Sequence, residues 1–324
     1  MMARSGSSSP VIQISTECII QIADALKSYP YGLSKFVGLP SSPIFLTLQN
    51  PLNKTTRSGF NDKIGIALWP REGKKVFDTK SLSQLAYNCQ PAMTQLLHDY
   101  DVNPTSSKKR VKKSCTRTIQ YLQEYLPSKS DKNGGLFVTL DLSWFVVDSI
   151  EANKTVDAVL ESKGCIDGFV LTGITFESND LQNADQLDEL LMKLPVDKVK
   201  FVAGVFTLSQ ILVLVTKGID FFDSSNVTQM ADLGQAFYLP KQSDVLSIDI
   251  PNEDLPSRSE KEEDKNTKLK ETNSTVIDLK DKRYVFAIFA PSLLCKRFNI
   301  RLIYWRIALV LIGYGIWFLN QLKK

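Results

Sequence analysis

The chain has 324 residues, 43% of them hydrophobic, enough to bury a sizeable core in one large α/β domain plus an appendage. A net charge of +4 is too weak by itself to argue for nucleic-acid binding. Five scattered cysteines (Cys18, Cys89, Cys115, Cys165 and Cys295) argue for reduced thiols over a disulfide framework, and Met1–Ser9 has no apolar signal core, so the glycosylation sequons at Asn53, Asn153, Asn226 and Asn273 read as chance.

Residues 1–10 read as a disordered leader. Apolar residues at Ile12, Cys18, Ile19, Ile22 and Leu26 predict a helix over Val11–Leu26. Ile44–Leu48, Lys63–Trp69 and Met93–Leu97 are predicted strands, with a short helix at Ser81–Asn88. Ser106–Leu126 is the longest predicted helix, with Val111, Cys115, Ile119, Leu122 and Leu126 on one face and basic residues on the other. A strand at Leu136–Leu142, a helix around Ser149–Ser162, a strand at Ile166–Leu171 and a helix at Leu181–Leu194 follow.

Val199–Phe237 holds the sharpest local signals. Val199–Val205 reads as a buried strand, and Thr207 or Ser209 can cap a helix carrying Leu208, Ile211, Leu212 and Val215 on one face. Gly218 stops that helix and Ile219–Asp223 begins the next strand, giving a βαβ unit with parallel pairing. Asp223 then stands at a strand's carboxyl end, where parallel α/β folds place their chemistry. Strand–helix alternation over roughly 200 residues fits either a TIM barrel or an open doubly wound sheet. Gln242–Lys282 is charge-dense and nearly free of aromatics, so it reads as a disordered insert. Leu302–Leu319 is apolar save for Arg306 and is close to the ~20 residues that cross a bilayer, with basic residues on both flanks.

Three stretches resemble the tRNA-guanine transglycosylase family. They are Tyr31-Gly32-Leu33-Ser34-Lys35-Phe36-Val37-Gly38-Leu39-Pro40, the helix from Ser106 to Thr118, and the Lys217-Gly218-Ile219-Asp220-Phe221-Phe222-Asp223 run. The resemblance is closest to the family's eukaryotic, non-catalytic branch. It implies an α/β fold, a TIM (β/α)8-type barrel incomplete at its N-terminus, with barrel residues 11–240, the insert at 241–283 and the apolar tail at 284–324. Asp223 matches the position of the family nucleophile, which attacks ribose C1′ while a tRNA guanine is exchanged for queuine. The commoner role of such an Asp is to end a strand or cap a helix.

Departures from the family pattern point the same way. Ser224 to Gln229 replaces the motif that follows the nucleophile. Thr47-Leu48-Gln49-Asn50-Pro51 stands where the enzymes carry an acid–base Asp, and Leu140 to Trp144 replaces their base-recognition loop. The resemblance therefore implies a catalytically silent accessory chain paired with a catalytic tRNA-ribosyltransferase subunit. An active transglycosylase using Asp223, and a membrane-anchored scaffold unrelated to tRNA, are the alternatives. Lys109, Lys113 and Arg117 recur every four residues, as a solvated helix face or as a ridge along tRNA phosphates. The family's Zn²⁺ is expected but has no ligand set here: no Cys-x-Cys-x-x-Cys spacing exists and His98 is the only histidine. The motif resemblance runs to Tyr284 and stops, so Val285–Lys324 reads either as an aberrant terminus or as a tail anchor. The implied location is the cytoplasm or, through that tail, the mitochondrial outer membrane.

Overall fold

The computed structural model describes residues 11–52, 60–70, 72–233, 235–238 and 275–278. The expected leader, nearly all of the charged insert and the apolar tail, with Cys295 and Leu302–Leu319, lie outside them. The described chain divides into a first unit ending at Ser225 and a second within Asn226–Phe286.

The first unit opens with β1 (Ile12–Ser15), followed by α1 (Thr16–Ile19), α2 (Ala23–Lys27) and α3 (Gly32–Phe36). The single helix predicted over Val11–Leu26 is thus corrected to a strand and two short helices. β1 lies residue for residue along β2 (Ile44–Thr47), Ile12 opposite Ile44 and Ser15 opposite Thr47. Sheet pairing overrides the helical spacing, as non-local contacts do for short segments. β3 (Gly65–Leu68) falls inside a predicted strand but outside the main sheet, forming an antiparallel hairpin with β4 (Lys75–Asp78).

Asp78 caps α4 (Thr79–Cys89) by accepting from the Ser81 amide at 2.8 Å. β5 (Met93–Gln95), α5 (Lys108–Tyr125), β6 (Gly135–Asp141) and α6 (Leu142–Glu161) come next. As expected, α5, at 18 residues, is the longest continuous helix described, because the 20-residue span of α6 is broken. α6 is two helices joined at Asp148 (φ −153°, ψ 83°), whose carboxylate accepts from the Glu151 amide and starts the half predicted from Ser149. β7 (Gly168–Thr172), a small hairpin of β8 (Phe176–Glu177) and β9 (Asp180–Leu181), α7 (Ala184–Lys193), β10 (Val199–Val202), α8 (Leu208–Lys217) and β11 (Phe221–Phe222) complete the unit. Thr207 and Gln210 form a reciprocal capping box at the start of α8, and Gly218 ends it at φ +101°.

β1, β2, β5, β6, β7, β10 and β11 form one parallel sheet in that order. Its outer face is largely aliphatic: Ile44, Leu46, Val138, Leu140 and Leu171 pack in one core with Leu82, Leu122, Val156, Leu187 and Leu214 of the helices. Its inner face is aromatic, with Phe45, Phe137, Val170 and Phe201 clustered and Phe221 against them. Phe45 and Phe201 lie four strand steps apart, which at the usual strand spacing is ~19 Å in a flat sheet. Their ring centroids are 4.9 Å apart, and Phe221, one strand further, is 6.4 Å from Phe45. Only a sheet curled on itself allows this, so the seven strands make a partial barrel floored by phenylalanine. Among the described residues β1 pairs only with β2, and β11 only with β10.

In the second unit α9 (Ser225–Asp232) leads to β12 (Gln235–Tyr238), which pairs antiparallel with β13 (Thr275–Asp278).

Candidate functional site at the barrel mouth

Polar side chains sit above the phenylalanine floor because strand residues two apart point to the same face. Gln13 follows Val11, Thr47 follows Phe45, Gln95 follows Met93 and Thr139 follows Phe137. These groups satisfy one another: Gln13 Nε2 donates to Thr47 Oγ1 at 3.3 Å and Gln95 Nε2 to Thr139 Oγ1 at 2.9 Å. Gln95 Oε1 also accepts from the Leu48 amide at 3.0 Å, tying the end of β2 to β6.

A cavity of about 550 Å³ opens at these carboxyl ends, with Gln13, Thr47, Gln95, Asp141, Thr172 and Gly204 in its wall. Among the described residues no Lys or Arg lines it. Two buried carboxylates do, Glu17 and Asp141. Glu17, just after β1, accepts from the Asn50 amide at 3.4 Å and the Trp69 amide at 3.2 Å. Asp141, the last residue of β6, accepts from the Ser143 amide at 2.7 Å and so caps α6. Burial raises the Asp141 carboxyl above the ordinary range, and the Ser143 bonds only partly offset it. Gly173 passes so close that a Cβ there would lie 2.4 Å from Asp141 Oδ1.

His98 also lines the wall and is 5% exposed. Burial pushes its pKa down to about 4 against the pull of Asp99, so the ring is neutral at pH 7. Its Nδ1 has no hydrogen-bond partner among the described residues.

Asp223 follows β11 at the rim. Its Oδ2 accepts from the Gly204 amide at 3.0 Å and its Oδ1 from the Ser225 amide at 3.1 Å. Burial lifts its pKa to about 6, with those amides pulling the other way. The carboxylate is engaged by backbone at both oxygens, the geometry of a capping Asp. Glu17 and Asp141 were not singled out from the sequence as chemistry-bearing. Asp141 carries the same strand-end signal as Asp223, whereas Glu17 was concealed in a stretch read as one helix.

The basic helix is not a uniform ridge. Lys109 and Lys113 are exposed, but Arg117 turns inward, its Nη1 donating to Asp99 Oδ2 at 2.7 Å and to the Asn61 carbonyl at 2.9 Å. Arg110 donates to both oxygens of the same carboxylate, and Asn61 Nδ2 donates to it at 2.9 Å. Burial alone would raise the Asp99 pKa, yet the bonds from Arg110, Asn61 and Arg117 outweigh it and hold the carboxyl below its ordinary value. The ridge of Lys109, Lys113 and Arg117 is therefore corrected to two exposed lysines and one structural arginine.

Among the described residues no group of three His, Cys, Asp or Glu side chains could hold a metal ion. The thiols of Cys89 and Cys115 are buried, each with its pKa raised to about 12, while Cys18 and Cys165 are exposed. These four cysteines do not come together as a ligand cluster among the described residues. No described helix is long and apolar enough to cross a membrane.

Residues 13–295 match the family profile described as queuine tRNA-ribosyltransferase, ending eleven residues beyond Tyr284, where the motif resemblance stops. Proteins named queuine tRNA-ribosyltransferase accessory subunit 2 are similar to the chain. The one from Ixodes scapularis is 29% identical over 73% of this chain and 62% of its own length. That from Caenorhabditis elegans is 27% identical over 75% and 66%, and that from Gallus gallus 26% over 85% and 67%. The chain thus spans about three fifths to two thirds of the length of these relatives. With a family match over most of its residues and a curled parallel sheet carrying acids at its strand ends, the chain belongs to the queuine tRNA-ribosyltransferase family.

Proposed function

We propose that this chain is the non-catalytic accessory subunit of a heterodimeric queuine tRNA-ribosyltransferase, which exchanges guanine for queuine at the tRNA anticodon wobble position. The same reading takes its seven strands as most of a (β/α)8-type barrel. The observation that carries it is the state of Asp223, whose carboxylate oxygens are both held by backbone amides of Gly204 and Ser225. A nucleophile needs a free oxygen aimed at the reacting carbon, and base exchange needs a second acid to move protons. The end of β2, where the enzymes keep that second acid, offers Thr47, Leu48, Gln49 and Asn50. The catalytic partner would supply both acids, and this chain would help hold the tRNA.

One observation favours a second reading, an active transglycosylase. Glu17 and Asp141 share the mouth, and Asp141, with its raised pKa, could serve as a proton donor. One experiment separates the two. The catalytic subunit is co-purified with wild-type or Asp223→Asn chain, and queuine incorporation into tRNA is measured. The accessory reading expects co-purification, activity only with both chains present, and equal rates for the two versions. Activity of this chain alone, or its loss on Asp223→Asn with assembly intact, would establish the second reading.

A further inference from the structure

The positive charge of the chain is concentrated on one helix. α5 carries six cations against the single carboxylate of Glu124, a surplus of five, whereas the whole chain nets +4. Everything outside α5 is therefore slightly acidic taken together. Arg110 and Arg117 are used internally by Asp99. Lys108, Lys109, Lys112 and Lys113 are all exposed, and none has a carboxylate within ion-pair distance among the described residues.

That placement works against the helix. Lys108 and Lys112, and Lys109 and Lys113, are like charges at i,i+4 and repel by a few tenths of a kcal/mol per pair. They also occupy the first two turns, at the positive end of the helix dipole, with no acid in the first turn. Local rules broken at one place, in a helix otherwise well capped and packed, mark a functional surface. The Asp99 cluster offsets the cost by pinning α5 from beneath: Arg110, Arg117 and Ser114, whose Oγ donates to the Asp99 carbonyl at 2.6 Å, fix the helix while the lysine row faces outward.

We propose that Lys108, Lys109, Lys112 and Lys113 form a rail that binds the phosphate backbone of RNA. The inference rests on the accessory reading and gives it a surface. Phosphate contacts of this kind position an RNA and read no base sequence. A membrane surface is the less suitable polyanion, because a basic helix that docks on lipid keeps an apolar face free to insert. The apolar face of α5, Val111, Cys115, Tyr121, Leu122 and Tyr125, is buried in the core.

The test uses the full chain and a tRNA transcript as probe. Wild-type and the variant with Lys108, Lys109, Lys112 and Lys113 all changed to Gln are titrated from about 50 to about 200 mM salt, the range over which phosphate contacts are lost. The variant should bind at least roughly tenfold more weakly at the low-salt end, with a log–log salt slope reduced by about 3, close to 0.7–0.9 per lysine. Lys108→Gln with Lys112→Gln, and Lys109→Gln with Lys113→Gln, should each remove about half of that change, which guards against misfolding of the fourfold variant. Its thermal midpoint should not fall, since repulsion has been relieved. Unchanged affinity and slope would overturn the rail, as would wild-type binding to phosphatidylserine vesicles as tight as its binding to tRNA. Capture of the catalytic subunit is scored separately: if wild-type chain fails to capture it, the accessory reading fails, while the salt slope still judges the rail.

Discussion

Asp99 lies shortly after β5 and Asp141 ends the neighbouring β6; both are buried, yet their carboxyls are shifted in opposite directions. Around Asp99 two guanidinium groups and an amide are aimed at the carboxylate, and the charged form wins over desolvation. Around Asp141 there are backbone and hydroxyl dipoles but, among the described residues, no cation that shifts it, and desolvation wins. One strand end has been given over to holding α5 in place. Its neighbours retain acids whose protonation is left poised, which is what a barrel mouth needs for chemistry and what a purely structural layer avoids. Here that poise persists at Asp141 and Asp223 beside a β2 end without an acid.

The contrast can be broken most forcefully at Asp99. Asp99→Asn should cost about 3–5 kcal/mol, because Arg110 and Arg117 would keep their charges in a partly buried site with nothing opposite. Urea unfolding at pH 7 measures it, and a loss below about 1 kcal/mol would mean the cluster is decorative. Phe45→Ala tests the floor on which the mouth rests. It should cost about 3–5 kcal/mol through the cavity left among Phe137, Phe201 and Phe221, with its effect on unfolding independent of pH.

His98 sharpens the comparison through pH. Its folded pKa of about 4 lies below the ordinary 6.5, so the unfolded chain binds the proton first. The stabilisation it contributes is present above pH 6.5 and is lost as pH falls toward 4, by up to about 3 kcal/mol. His98→Gln should remove that part of the acid sensitivity, seen as a smaller drop in unfolding free energy between those two pH values.

Asp223 has the opposite sign. A carboxyl raised to about 6 favours the folded state at low pH and costs stability as pH rises from about 4 to about 6. Asp223→Asn should therefore compare with wild type more favourably at pH 7 than at pH 4, by about 1 kcal/mol after allowance for partial exposure. Asparagine keeps one acceptor oxygen for the Gly204 and Ser225 amides and turns its NH2 toward the other, a cost that does not vary with pH, so a difference of zero between the two pH values would point to packing instead of charge.

Much of the architecture was legible before the structure. The end of the first unit was read element by element, because its signals are local: a β-branched strand at Val199–Val202, a Thr207 cap with Gln210 three residues on, and a Gly218 stop. The strand-end position of Asp223 came with them. What the chain order could not convey was pairing. β3 looks like any buried strand, and only its partner β4 removes it from the parallel sheet. Ile12–Ser15 has four residues, too few to separate a strand from a helix turn by periodicity, and its alignment with β2 decides the matter. Arg117 shares the four-residue spacing of Lys109 and Lys113, yet it points inward because a carboxylate from a different segment waits there.

The sequence by itself determined the family, most of the strand–helix alternation from β2 onward, the cap and stop of α8, and the excess of positive charge on one helix. Each of these follows from residues within a few positions of one another. The tertiary structure alone decided that the sheet curls until Phe45 meets Phe201, that Glu17, His98 and Asp141 share one cavity, and that Asp99 takes two of the six cations of α5 out of solvent. Those outcomes depend on groups brought together from positions far apart in the chain, where desolvation and pairing are set by the neighbours each group acquires on folding.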